Sequence, residues 1–177
     1  VDNEGQGIWA RVATLDAGEN RGSFFRPEID DEVIVGFING NPKDAIVLGM
    51  MNSSAKPAPI TASDDNHEKG FVTRSEMKVI FNDDDISMTL ETPNGNKMVI
   101  SDADGGIKLE DENGNFIEMN SEGITIESAT AINYKSGTDT TIESGTNLDI
   151  KAGTQLKAEG AAGAEVSTGA IAILKGS

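Results

Sequence analysis

Few residues in this sequence combine the types and spacings that chemistry requires. His67 is the only histidine, and the chain has no cysteine. A metal site needs several nitrogen or sulfur donors at short spacing, so His67 alone reads as a solvated loop residue. The lack of cysteine excludes disulfides, thiolate zinc sites and cysteine nucleophiles. Two acidic runs, Asp83-Asp84-Asp85 and Asp102-Ala103-Asp104-Gly105, carry carboxylates that could hold calcium. Neither has the spacing of an EF-hand or of the glycine-aspartate nonapeptide of calcium-bound β-rolls, and both read as polar turns. Serine and threonine are abundant, but no Gly-x-Ser-x-Gly elbow or partner histidine arms one of them. No glycine-rich phosphate loop is present. Trp9 sits in an apolar strand pattern and is expected in a core rather than at a binding surface. The reading is a protein with no catalytic residue, no metal ligand and no cofactor.

The elements must then explain the function. Thirty acidic and 14 basic side chains give a net charge of −16 over 177 residues. That excludes nucleic-acid binding through a basic surface. No apolar run approaches the roughly 20 residues of a membrane-crossing helix, and no signal peptide is read. The sequence starts at Val rather than Met and is read as a piece of a longer protein. Leu, Ile, Val and Phe total only 40, close to the level at which a charged chain stays disordered. Ile and Val outnumber Leu by 27 to 7, and Gly reaches 20, which is a strand-and-turn composition. The fold class is therefore all-β, and its core needs a source.

Four stretches follow from the pattern. Residues 1–52 carry strand-like runs at Ile8-Trp9-Ala10-Arg11-Val12, Glu32-Val33-Ile34-Val35-Gly36-Phe37 and Ala45-Ile46-Val47-Leu48-Gly49. Asn39-Gly40-Asn41-Pro42 forms a turn before the last of them. Residues 53–70, with Pro57 and Pro59, read as a linker. Residues 71–123 read as strands and hairpins leading into a shaft. Asn94-Gly95-Asn96 and Asn113-Gly114-Asn115 mark turns, and Met98/Ile100, Ile107/Leu109 and Ile117/Met119 give one apolar face. Residues 121–177 repeat every eight positions. The net charges of 1–70, 71–123 and 124–177 are −6, −8 and −2, so the repeat is nearly neutral.

The octads read SEGITIES, ATAINYKS, GTDTTIES, GTNLDIKA, GTQLKAEG, AAGAEVST and GAIAILKG. Their fourth and sixth columns are apolar except at Thr140. The larger members are Ile124, Ile126, Ile132, Tyr134, Ile142, Leu148, Ile150, Leu156 and Val166, the expected trimer core. Two inward side chains per eight residues make one face of a prism, so three chains are expected to close it as a homotrimer. Gly137, Gly145, Gly153 and Gly169 open their octads as expected corners of positive φ. The seventh column, Glu127, Lys135, Glu143, Lys151 and Glu159, alternates in charge. It is expected to form a ladder between octads of different chains, at roughly 0.2–1 kcal/mol per pair. In the last octad Ile171 and Ile173 compete with Ala172 and Leu174 for the inside. Either the register shifts there or an apolar end faces a partner.

These features together resemble the VgrG family of type VI secretion spikes, and the related spikes of phage tails and extracellular injection particles. The family's OB-fold signature is matched by Trp9-Ala10-Arg11-Val12 and by Phe25-Arg26-Pro27-Glu28-Ile29-Asp30-Asp31-Glu32-Val33-Ile34-Val35-Gly36-Phe37. It continues through Gly40-Asn41-Pro42-Lys43-Asp44-Ala45-Ile46-Val47-Leu48-Gly49. Phe71-Val72-Thr73-Arg74-Ser75 through Ile80-Phe81-Asn82-Asp83-Asp84 resembles the family's lead-in to its β-helix. The resemblance implies an OB-fold-like small barrel, truncated at its N-terminus, followed by an intertwined trimeric triple-stranded β-helix. It implies a needle that pierces a target envelope, with a PAAR-type tip protein docked at Leu174, Lys175, Gly176 and Ser177. Tail tube and baseplate would be reached through a missing N-terminal domain, and effectors would be carried as cargo. Assembly would take place in the bacterial cytoplasm, with delivery outside or into a target cell. The alternative reading is a trimeric fibre or adhesin that binds a surface glycan or receptor. A β-helical lyase, or a spike with a lysozyme insertion, would need a catalytic carboxylate cluster that the sequence lacks.

Overall fold

A computed structural model of the protein describes residues 7–173. It divides into two compact units, Val1–Ala131 and Ile132–Ser177. Among the described residues the ordered elements are strands, with one short turn of helix-like geometry at Ile38–Gly40.

The first unit starts with a three-stranded sheet in the order β1-β5-β4. β1 (Ala10–Val12) runs parallel to β5 (Ala45–Met51), and β4 (Glu32–Phe37) runs antiparallel to it. The apolar runs read from the sequence supply these strands. Register slips between Ile34 and Val35, which pair with Gly49 and Val47, so Leu48 bulges from the ladder. The turn before β5 falls on the Asn-Gly signal, with Asn39 and Gly40 at φ 51° and 72°. β2 (Ala17–Gly18) and β3 (Arg21–Gly22) form a separate small hairpin, with Arg21 on Asp16 at 2.6 Å.

The buried core is small. Ala45 and Val47, 4% and 7% exposed, are the buried hydrophobic residues among those described. Core packing of Trp9 is not observed. The ring is 96% exposed, because it precedes β1 on a sheet with no second layer above it.

No strand forms from Asn52 to His67. The expected linker over 53–70 thus ends three residues early, since β6 starts at Glu68. The Lys56 ammonium donates to the Asp30 carbonyl at 2.7 Å and ties this stretch to the turn before β4. A single antiparallel sheet follows, each strand beside its sequence neighbour. Its strands are β6 (Glu68–Val72), β7 (Lys78–Asn82), β8 (Ser87–Glu91), β9 (Lys97–Ser101), β10 (Gly106–Glu110), β11 (Phe116–Asn120) and β12 (Gly123–Glu127). Phe71 and Arg74 meet the segment that precedes β4: Phe25 stacks on Phe71 at 5.1 Å, and Arg74 reaches Glu28 at 2.8 Å.

The second unit has no strand among its described residues. It bends at a fixed interval instead, at 137–138, 145–146, 153–154, 161–162 and 169–170. The 129–130 bend at the end of the first unit falls in the same series. Of the expected octad strands, only the first octad forms one, as β12. The physical reason is the lack of a neighbour: an octad with one inward face has nothing in its own chain to pair with.

Candidate functional site

The registers of the seven-stranded sheet bring scattered apolar residues into two continuous rows. One row runs Lys69, Phe81, Met88, Ile100, Ile107, Met119, Ile124. The other runs Phe71, Val79, Leu90, Met98, Leu109, Ile117, Ile126. Directly opposed residues in antiparallel strands point to one face, so all fourteen share it. Only Lys69 is polar, and its ammonium pairs with Asp83. The residues of this face are half-buried or exposed, and none is fully buried. A contiguous apolar face this long marks an interaction surface.

The opposite face is mixed, with Ile80, Val99 and Phe116 half-buried among polar residues. Lys78, Glu91, Lys97 and Glu110 are successive cross-strand neighbours of alternating sign. Lys108 reaches Glu110 at 2.9 Å and lies over the Phe116 ring at 5.2 Å. The bond to Glu110 raises the Lys108 pKa above its ordinary 10.5.

Both apolar rows end on Ile124 and Ile126, which open the fourth and sixth octad columns. The remaining column residues, Ile132, Tyr134, Ile142, Leu148, Ile150, Leu156 and Val166, are all exposed, from 46% at Ile132 to 89% at Val166. Across described residues 132–173 no backbone group bonds to another. Exposed apolar side chains and unpaired backbone coincide over the same stretch. The exposed apolar side chains are the costly feature, and the backbone groups, open to water, are free to pair with another chain.

The corners are built differently from the expectation. Bends fall on Gly137, Gly145, Gly153 and Gly169, but none of these has a left-handed φ. The expected positive φ is therefore corrected. A Cβ added at any of the four meets nothing within 4 Å in this chain. Where the eighth column carries a hydroxyl it bonds across the bend, whereas the bends at 153–154 and 161–162 follow Ala152 and Gly160 and form without one. Ser128, Ser136 and Thr168 accept from the N–H two residues on, each at 3.3 Å. Ser136 and Ser144 donate to the carbonyl three residues on, at 2.8 and 2.6 Å. Such local bonds are the ordinary way Ser and Thr turn a chain. Sequence reasoning missed this column, although a hydroxyl in four of its first six positions was a usable signal.

One edge of the sheet carries a stitched row of turns. In loops 73–77, 92–96 and 111–115 the first N–H donates to the fifth carbonyl, and the fourth N–H donates to the first. The fourth residues, Glu76, Gly95 and Gly114, have φ of 63°, 92° and 81°. The closing asparagines reach onward. Asn96 Oδ1 accepts from Glu112 N–H at 3.4 Å. Asn115 Oδ1 accepts from the Ser128 hydroxyl at 2.7 Å and the Ala129 N–H at 3.0 Å. Asp111 locks this last turn. Bonds from the Asn115 side chain, the Asn115 backbone and Asn113 hold its pKa down at about 2.

The other expected sites are dispersed. His67 is half-buried, and its carbonyl accepts from Asp83 N–H at 3.0 Å. Lys69 beside Asp83 lowers that carboxyl's pKa. Asn82 caps the turn of Asp84 and Asp85: its Oδ1 accepts from both N–H groups and its Nδ2 donates to the Asp85 carboxylate. Among the described residues no cluster of His, Asp and Glu is placed to hold a metal. Of the charge column, Glu159 pairs with Lys157 in its own octad. Leu174, Lys175, Gly176 and Ser177 lie outside the described residues. No described helix is long and apolar enough to cross a membrane.

Comparison with known proteins fits this geometry. The family model of the phage baseplate V C-terminal trimerisation domain matches residues 87–176, half of the chain. The type VI secretion system/phage-baseplate injector OB domain matches residues 1–51. The type VI secretion system spike protein VgrG3 of Vibrio cholerae is 38% identical over 74 residues, 42% of this chain and 7% of its own length. VgrG1a of Pseudomonas aeruginosa, another such spike protein, is 34% identical over 73 residues, 41% of this chain and 11% of its own. The actin cross-linking toxin VgrG1 of Vibrio cholerae is 35% identical over 74 residues, 42% of this chain and 7% of its own. The match thus spans about a tenth or less of the length of these curated relatives.

Proposed function

Because the chain belongs to the VgrG family of spike proteins, we propose that it forms the trimeric needle at the tip of a contractile injection machine. The observation that carries this reading is the uncovered apolar track. It covers one face of the seven-stranded sheet, and in the octads the column residues are likewise open to water in one chain. Three copies close it, and the core is shared. Ile124, Ile126, Ile132, Tyr134, Ile142, Leu148, Ile150, Leu156 and Val166 face the common axis. The bends at Gly137, Gly145, Gly153 and Gly169 form the corners. Glu127, Lys135, Glu143, Lys151 and Glu159 stand outside as the register-setting ladder.

The mechanism is mechanical, and the chain carries out no reaction. A shaft with no free strand edge along its length resists sideways pairing, and its chains must separate together before it unfolds. Such a needle suits piercing of a target envelope. A PAAR-type tip protein would seat at Leu174 to Ser177, and effectors would ride with the spike. The spike would assemble in the bacterial cytoplasm and act beyond it.

Multi-angle light scattering tests the core of this reading. Purified protein is expected at the mass of three chains across micromolar concentrations. A clean monomer there would remove both trimer and needle.

A further inference from the structure

The two apolar rows of the sheet are not chemically uniform. In the first row Met88 stands between Phe81 and Ile100, and Met119 between Ile107 and Ile124. In the second, Met98 stands between Leu90 and Leu109. The fourth and sixth octad columns hold Ile, Leu, Val, Ala, Tyr and Thr but no Met. The apolar positions of the sheet are therefore open to thioether oxidation, and those of the octads are not.

These three sulfurs have two environments. In one chain the methionines are half-buried on a face that stays open to water, so a small oxidant reaches them. When copies close that face, the same sulfurs pass into a dry interior. Hydrogen peroxide transfers one oxygen to a methionine Sδ: the O–O bond breaks, an S–O bond forms and water leaves. A flexible apolar side chain becomes a polar sulfoxide. Its oxygen accepts hydrogen bonds, and the rows hold no free donor for it. Lys69 is their one polar member, and its ammonium is engaged by Asp83 and the Asn66 carbonyl. An acceptor left without a donor in a dry interior is costly.

We propose that Met88, Met98 and Met119 form a peroxide-modified site that decides whether a chain can join its copies. In the lone chain the site is open, and sulfoxide there blocks assembly. In the assembled spike the site is covered, and the sulfurs persist as thioethers. This rests on the trimer reading and adds a chemical condition to it. Met50 and Met51 in β5 and Met77 in the 73–77 turn lie outside the rows and are 47%, 48% and 47% exposed. Sulfoxide at Met50 and Met51 leaves assembly intact.

Peptide mass mapping after hydrogen peroxide treatment tests the site. At the three row methionines, sulfoxide is expected to form about tenfold or more slowly in native protein than in the urea-denatured chain, because oxidation follows exposure. Equal rates in a protein that light scattering shows to be a trimer overturn this proposal alone. A monomeric wild type overturns the trimer as well. Substitution tests the consequence. Met88→Gln/Met98→Gln/Met119→Gln sets a polar acceptor of similar length at each position. It is expected to lose the trimer with its strand signal retained in circular dichroism. The matching triple change to Leu is expected to keep the trimer, as is Met50→Gln/Met51→Gln. A triple Gln variant that remains trimeric overturns the proposal.

Discussion

The seven-stranded sheet and the octad segment use one device, two apolar side chains at spacing two in each short strand. In the sheet, loops of two to five residues bring each strand back beside the one before it, and every ladder closes within the chain. In the octads, a recurring bend turns the chain without reversing it, and no ladder closes within the chain. The side-chain pattern is the same, and the connector decides whether a strand finds its partner in the chain itself. Fold and assembly here are thus one problem solved with two kinds of corner.

Three changes probe that contrast. Leu148→Asp should act most strongly, because it puts an unpaired carboxylate into the shared track. An uncompensated buried charge costs of order 3–5 kcal/mol. Loss of the trimer in light scattering is expected, with the strand signal of the sheet retained in circular dichroism. A surviving trimer would show that the column does not face inward. Next comes a pair of glycine variants. At Gly70→Ala the new Cβ runs into the Val79 carbonyl across the β6–β7 ladder. About 1–3 kcal/mol of destabilisation is expected in thermal melting, as for other overpacked sites. Gly145→Ala has open space and no left-handed φ, so a change within about 0.5 kcal/mol is expected. A large loss there would mean that a neighbouring chain approaches the corner closely.

The smallest effect concerns acid. The Asp111 carboxyl has a folded pKa of about 2 against an ordinary 3.8. Its stabilisation is therefore complete above pH 3.8 and is lost as the pH falls towards 2. Replacing it by Asn should flatten that part of the stability profile in acid titrations followed by circular dichroism. An unchanged profile would mean that the 111–115 turn holds without the charge.

Much of this was readable in the sequence, and the gaps have specific causes. Asn94-Gly95-Asn96 and Asn113-Gly114-Asn115 announce two identical turns. The third went unseen because Glu76 occupies the left-handed position that glycine fills in the other two. The period of eight was plain, and the bends keep it. Its glycines suggested corners of positive φ, whereas the bends have ordinary φ and are braced by hydroxyls of the preceding column except after Ala152 and Gly160. Trp9 looked like core because its neighbours alternate like a strand, but alternation says nothing about whether a second layer covers the ring. The two apolar rows could not be read at all before the registers were known. Spacing within a strand shows which residues share a face, and pairing between strands is what lines them up.

The nearest-neighbour order of the seven strands also sets a sequence in time. Contacts between strands joined by a few residues form with little loss of loop entropy, so this sheet can fold in a lone chain at rates independent of concentration. The octads gain nothing until chains meet, and meeting is a second-order event. Formation of the sheet is therefore expected to precede formation of the trimer.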